Sequence, residues 1–357
     1  MSDNNIDGSD AVAVKAASSP ETVTTDIQAN AASPVWRQML GGPAGRIIGL
    51  VVALALIYIV GALTAGDSFT SVNNLLVILR QASIIGVISI GMTFVIISGG
   101  IDLSIGAVMG LASVVATLDV IQNFSDQTHW VTMVLIALAV GLAAGVVNGA
   151  VIAYGNVVAF MATLAMLVAA RGLAEILAER RTLTIDSRDF IEFFNGDFLG
   201  VDILIWMFAL VAAAGWILLN RTTFGRRTVA IGGNREAARL AGINVKRHTV
   251  MLYAIAGLTA GIAAVMILGR TTAGTSTHGT LYELDAIAAV VVGGTLLVGG
   301  RGTIVGTVFG VLIFATLSNV FIQNNLSSSV QAVAKGVIIV VAVLLQQRFA
   351  RRDSRTT

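Results

Sequence analysis

The chain has 357 residues, 56% hydrophobic and only 12% charged, with a mean hydropathy of +0.86. A soluble domain has no use for that much apolar sequence, whereas a polytopic helical membrane protein needs about 20 apolar residues for each span. Cysteine is absent, which excludes disulfides and thiolate chemistry; the three histidines (His129, His248, His278) make no metal-site pattern, and the formal net charge of +2 says less than where the charges sit.

In chain order, residues 1–40 come first, an expected disordered polar cytoplasmic tail. Residues 1–35 are rich in Ala, Ser, Thr, Asp and Asn, with Lys15 the only base. No basic stretch leads directly into an apolar core there, so the tail is not read as a signal peptide. Apolar runs then mark about ten spans, at 47–63, 82–98, 104–118, 131–153, 157–177, 203–219, 249–268, 285–298, 303–321 and 330–346. The third and eighth are short, so each is either tilted or re-entrant and shielded inside the bundle. The expected fold is therefore an all-α polytopic membrane protein of about ten transmembrane helices. Its membrane domain is placed at 41–347, and a basic cytoplasmic C-terminus at 348–357.

Orientation follows from the basic residues. Arg37 and Arg46 precede the first span. The loop 220–248 holds Arg221, Arg226, Arg227, Arg235, Arg239, Lys246 and Arg247 against the single acid Glu236, and the C-terminus holds Arg348, Arg351, Arg352 and Arg355. An even number of spans puts all three on one side, the cytoplasm, so both termini are expected there. The opposite loops agree: 119–130 has Asp119 and Asp126 and no Lys or Arg, and 179–202 has three Arg against six acids.

Inside the spans, small residues recur four apart at Gly106/Gly110, Gly141/Gly145/Gly149, Gly257/Gly261 and Gly306/Gly310. Such faces let helix backbones approach closely, either within one chain or as a seam between two copies. Gly99-Gly100, Gly106 and Gly110 match Gly299-Gly300, Gly306 and Gly310 in spacing, a candidate internal repeat. Polar residues in the spans are few: Asn148, Asn319, Gln331 and Lys335, with Asp102 and Asp285 near span ends. Asp102 either caps the helix that begins beside it or meets the transported solute, and Asp285, just after Glu283, has the same two readings. Lys335 is expected to snorkel or to pair with an acid. No buried proton relay, Arg-rich voltage sensor or potassium-type filter is visible, which weakens pump, proton-coupled carrier and channel readings. A sodium-coupled or facilitative carrier stays open, because its sites can be built from backbone carbonyls.

The loop 220–248 carries a short helix signal. Asn234 is an N-cap residue, Glu236 suits the positive end of the first turn, and Gly242 is a natural stop. Ala237, Ala238 and Ala241 are expected to give a low-profile face for a groove on another protein. The plainer alternative is a basic loop that merely obeys the charge rule.

These residues resemble a known family. Glu236-Ala237-Ala238 followed by Gly242 is similar to the coupling signature of permease subunits in bacterial ATP-binding-cassette importers. Gly100-Ile101-Asp102-Leu103-Ser104 resembles a motif of the ribose-type sugar permeases within the branched-chain amino acid and sugar permease superfamily. Tyr282-Glu283-Leu284-Asp285-Ala286, Gly293-Gly294-Thr295 and Gly299-Gly300-Arg301-Gly302 resemble a second hallmark. The resemblance covers roughly residues 70–346 and not the long tail or the loop 179–202.

The resemblance implies one half of a transmembrane dimer, with a second permease copy as the expected partner in a homodimer. A cytoplasmic ATPase would bind the coupling helix of Asn234, Arg235, Glu236, Ala237, Ala238, Arg239 and Gly242. An extracytoplasmic binding protein would deliver a pentose, hexose or related polyol. Asp102, Ser104, Asn148, Glu283, Asp285 and Asn319 are the candidates for the translocation path. The chain has no Gly-x-x-x-x-Gly-Lys-Ser/Thr phosphate loop, so ATP and Mg would be used by the partner, and this chain would bind no cofactor or metal. Its other expected partner is membrane lipid, and no nucleic-acid partner is expected. The chain shows no cluster of catalytic residues, which argues against a membrane enzyme.

Overall fold

The computed structural model describes residues 43–353. The expected tail at 1–40 and the last four residues of the basic C-terminus lie outside the described residues. α1 (Pro43–Ala65) leads through a single turn, α2 (Asp67–Thr70), into α3 (Val72–Ile97). α4 (Ile105–Ala116) is followed by α5 (Asp119–Gln127), bent away from it by 57°. α6 (Val131–Tyr154) and α7 (Ala159–Leu177) come next. A surface segment then carries β1 (Leu183–Thr184), α8 (Arg188–Phe194), β2 (Asp197–Phe198) and β3 (Val201–Asp202). α9 (Ile203–Arg221), α10 (Thr223–Gly233), α11 (Arg235–Leu240) and α12 (Val245–Thr271) follow. The chain closes with β4 (Ala273–Gly274), α13 (Tyr282–Val292), α14 (Ile304–Gln323) and α15 (Ser328–Asp353).

Each of the ten predicted apolar runs overlaps a helix, but the run 285–298 outlasts α13, which ends at Val292. Among the described residues, seven helices (α1, α3, α6, α7, α9, α12 and α14) are long and apolar enough to cross a bilayer, and the bent α4–α5 pair makes an eighth. α3 starts at Val72, well before the predicted 82. Asn73, Asn74 and Arg80 depress the hydropathy of that stretch, but two of them have partners: Asn74 pairs with Asn319 on α14, and Arg80 lies 2.6 Å from Asp202. The two short runs are short helices. α4 has 12 residues and α13 has 11, a rise of roughly 18 Å and 17 Å against about 30 Å of hydrocarbon. Neither crosses alone.

Position in the bundle shows in how much of each span is buried, not in its hydropathy. Only 6% of the α1 span is buried, against 61% for α3 and α14 and 67% for α12. α3, α12 and α14 therefore form the centre, and α1, α7 and α9 the rim. Glycine sets the closest approach. Gly141 and Gly145 of α6 lie so near Gly257, Gly261 and Tyr253 of α12 that neither can accept a Cβ. Gly306 and Gly310 meet Gly293 and Ala289 in the same way. The small-residue stripes are consumed inside one chain, so the reading of them as a seam between copies is not the one the structure takes.

On the acidic side, β1 pairs with β4 antiparallel and β2 with β3 in a tight hairpin. Leu199 and Gly200 at its turn both have positive φ (56° and 74°), the pattern of a two-residue hairpin loop. Trp130 packs on Phe190, Phe193 and Phe194, which anchors α8 to the start of α6.

Candidate functional site

The basic loop 220–248 contains two capped helices, α10 and α11. The Thr222 hydroxyl accepts from the Gly225 amide at the start of α10, whose Gly225, Thr228 and Ile231 face the bundle. Thr228 Oγ1 lies 2.8 Å from His248 Nε2, and the His248 ring sits 4.4 Å from that of Phe224, so α10 is fixed to α12. Asn234 Oδ1 accepts from the Ala237 amide at 2.9 Å and starts α11. α11 ends where Gly242 turns left-handed, at φ +83°. The Gly242 amide donates to Arg239 O (3.0 Å) and the Ile243 amide to Ala238 O (3.1 Å), the paired bonds that satisfy a helix's last carbonyls. The expected alanine face is corrected in one place. Ala237 and Ala241 are exposed, but Ala238 is 4% exposed and packs on Ile231, Val245 and Ile243 of its own chain. What α11 presents instead is Leu240, 79% exposed, beside Arg235 and the ion pair of Arg239 with Glu236 at 2.5 Å.

A second set of polar residues lies inside the bundle. Asp102 Oδ1 accepts from the Ser104 amide (2.9 Å) and hydroxyl (2.6 Å), and Asn148 Nδ2 donates to Ser104 Oγ at 2.8 Å. Asn148 stands six residues before Tyr154 at the end of α6, about 9 Å from that end. The loop 98–104 therefore dips inward before α4 begins. The Tyr253 hydroxyl (3.2 Å) and Thr163 hydroxyl (3.4 Å) hold it by the Ile101 carbonyl. From the other side, the loop 275–281 dips to meet it. Gly279 abuts Gly106 with no room for a Cβ on either. The N-termini of α4 and α13 thus come together inside the bundle, with Asp102 beside one and the buried Glu283 in the first turn of the other. Each carboxylate lies where the partial positive charge of a helix start favours an anion.

Arg171 of α7 belongs to this cluster and was not among the predicted residues. Its Nη1 donates to the carbonyls of Ser276 and His278, the latter at 2.9 Å. His278 Nδ1 lies 3.1 Å from Ser113 Oγ on α4. The signal for Arg171 was a base in the apolar run 157–177, four residues before Glu175, and a charge there demands a partner within the protein.

The remaining candidates lie apart. Asn319 and Asn74 exchange reciprocal amide bonds (2.9 and 3.1 Å), and Gln323 adds a third to Asn74 at 3.1 Å. That amide pair ties α3 to α14. Asp285 takes Lys335 of α15 at 3.1 Å on both oxygens, which supplies the partner that the sequence left unnamed. The structure therefore groups Asp102, Ser104 and Asn148, brings Glu283 close to them across Gly106, and sets Asp285 and Asn319 at other helix contacts.

The model of the family described as "Branched-chain amino acid transport system / permease component" matches residues 74–344. The ribose import permease protein of Bacillus subtilis (strain 168) is 40% identical over 306 residues, 85% of this chain and 92% of its own length. That of Escherichia coli (strain K12) is 39% identical over 303 residues, 84% and 92% of the two chains. The L-arabinose transport system permease protein of Escherichia coli (strain K12) is 35% identical over 323 residues, 87% and 94%. No solved structure matches the chain. The match spans both the α10–α11 pair and the two half-helices, and the chain belongs to this family of multi-pass transport permeases.

Proposed function

We propose that the chain is the membrane permease subunit of an ATP-driven sugar importer of the bacterial plasma membrane, and that α11 is its dock for a separate ATPase. The observation that carries this reading is a fully capped helix held on the basic loop 220–248, with Leu240, Arg235 and the Glu236–Arg239 pair exposed. The ribose and arabinose permeases among its relatives favour a monosaccharide as the solute. The two half-helices, with Asp102, Ser104, Asn148 and Glu283, form the central part of the path. Broken helices whose ends meet inside a bundle suit a weak, transient site for a polar solute.

The finer topology is ten segments with both termini cytoplasmic, 41–347 as the membrane domain, 1–40 as a cytoplasmic tail and 348–357 as a basic end. Two copies form the permease, the partner ATPase uses ATP and Mg, and an extracytoplasmic protein delivers the sugar. The test is copurification from solubilised membranes. Wild type brings down an ATP-binding-cassette subunit, whereas Glu236→Lys, which reverses the charge of the α11 first turn, and Gly242→Pro, which destroys its C-terminal turn, lose it while still reaching the membrane. Full retention of the subunit by both variants contradicts the docking role.

A further inference from the structure

The end of α10 is not separated from the half-helices by side chains. It touches their loops backbone to backbone. Gly300 donates its amide to the carbonyl of Ile97, the last residue of α3, at 2.8 Å. Gly99, Gly299 and Gly300 have φ of +81°, +89° and +78°. A Cβ on Gly299 would stand 2.9 Å from the Gly99 amide nitrogen and 3.0 Å from the Gly232 carbonyl oxygen. One on Gly300 would stand 3.1 Å from Gly233 Cα, and one on Gly232 would run into the Ile97 carbonyl and the Gly300 amide. Three backbones thus meet at one point. They are the end of α10, the loop 98–104 that carries Asp102 and Ser104 into α4, and the loop 293–303 that joins α13 to α14.

Contacts of this kind transmit displacement, because close-packed backbone has no flexible side chain to absorb it. α11 is in turn fixed to α10. The Asn234 amide donates to Ala230 O at 3.1 Å, and Ala238 packs on Ile231. We infer that Gly99, Gly232, Gly299 and Gly300 form a rigid joint through which movement of α10 and α11 shifts both half-helices together. The inference rests on α11 being the ATPase dock. These glycines act as positioning residues, through the half-helices they abut.

The chain lacks cysteine, so Thr280→Cys, an exposed position two residues before α13, gives a single site for an environment-sensitive fluorophore. The labelled permease is assembled with its copurifying ATPase, and emission is read on adding ATP with Mg. Wild type is expected to show an emission change. Gly233→Ala, where a Cβ meets nothing within 4 Å, is expected to keep it. Gly232→Ala is expected to keep the bound ATPase and its hydrolysis but to lose the emission change. If Gly232→Ala fails to accumulate, Gly300→Ala carries the same expectation, since its Cβ presses on Gly233 Cα at 3.1 Å and its φ of +78° strains any side chain there. A full emission change in the variant overturns the joint. So does a wild-type complex that hydrolyses ATP with no change at Thr280, or a variant that loses the ATPase along with the signal. If wild type brings down no ATPase at all, the docking assignment fails instead.

Discussion

Asn148 illustrates what one polar side chain does inside this bundle. Its amide reaches Ser104 Oγ at 2.8 Å, and Ser104 in turn donates to Asp102. All three are at most 2% exposed. The bond joins α6 to the loop ahead of α4, so its loss acts on the position of a half-helix. Asn148→Ala should lower stability by about 1 kcal/mol, the scale of an interhelical hydrogen bond in a membrane. Unfolding in mixed micelles measures it, and an unchanged midpoint would show that the bond holds nothing. Sequence alone marked Asp102, Ser104 and Asn148 individually. It did not group them with Arg171, Ser276 and His278, because Arg171 finds its carbonyl acceptors more than 100 residues further along the chain. No local pattern encodes such a meeting.

Among the helices, the α6–α12 contact is the tightest test of packing. Gly141 and Gly257 leave no space for a side chain between their backbones. Alanine normally favours a helix over glycine by up to about 1 kcal/mol. At Gly141 that gain is outweighed by the clash, and overpacking costs about 2 kcal/mol. Gly141→Ala should therefore destabilise the protein, whereas Gly172→Ala on α7, with nothing within 4 Å of its Cβ, should be neutral or mildly stabilising. Comparing their thermal midpoints decides it, and equal midpoints would contradict the contact. Hydropathy located the seven helices long and apolar enough to cross a bilayer, because an apolar run reports a lipid or protein surrounding whichever of the two it meets. The start of α3 escaped it, since Arg80 reads as an end signal until Asp202 is seen beside it. The alanine face of α11 was half legible. Ala238 sits on the opposite side from where composition placed it, because Ile231, Val245 and Ile243 offer it a pocket.

At the scale of the whole molecule, polar chemistry is concentrated at two levels. One is the α10–α11 helix pair in the basic loop, and the other is the meeting of α4 and α13 inside the bundle. The glycine contacts at Gly99, Gly232 and Gly299 lie between them. On the proposed docking role of α11, a separate ATPase moves the first level, and the glycine contacts carry that movement to the second. The central claim is that transport by this chain is ATP-driven through a partner. The most direct measurement is uptake of labelled D-ribose, D-xylose and L-arabinose into vesicles holding the permease with its copurified ATPase and binding protein, with and without internal or external ATP as orientation requires. The account predicts accumulation of at least one of these sugars against its gradient only with ATP, and none from the permease alone. ATP-independent uptake by the permease alone would contradict it and make the chain a self-sufficient carrier.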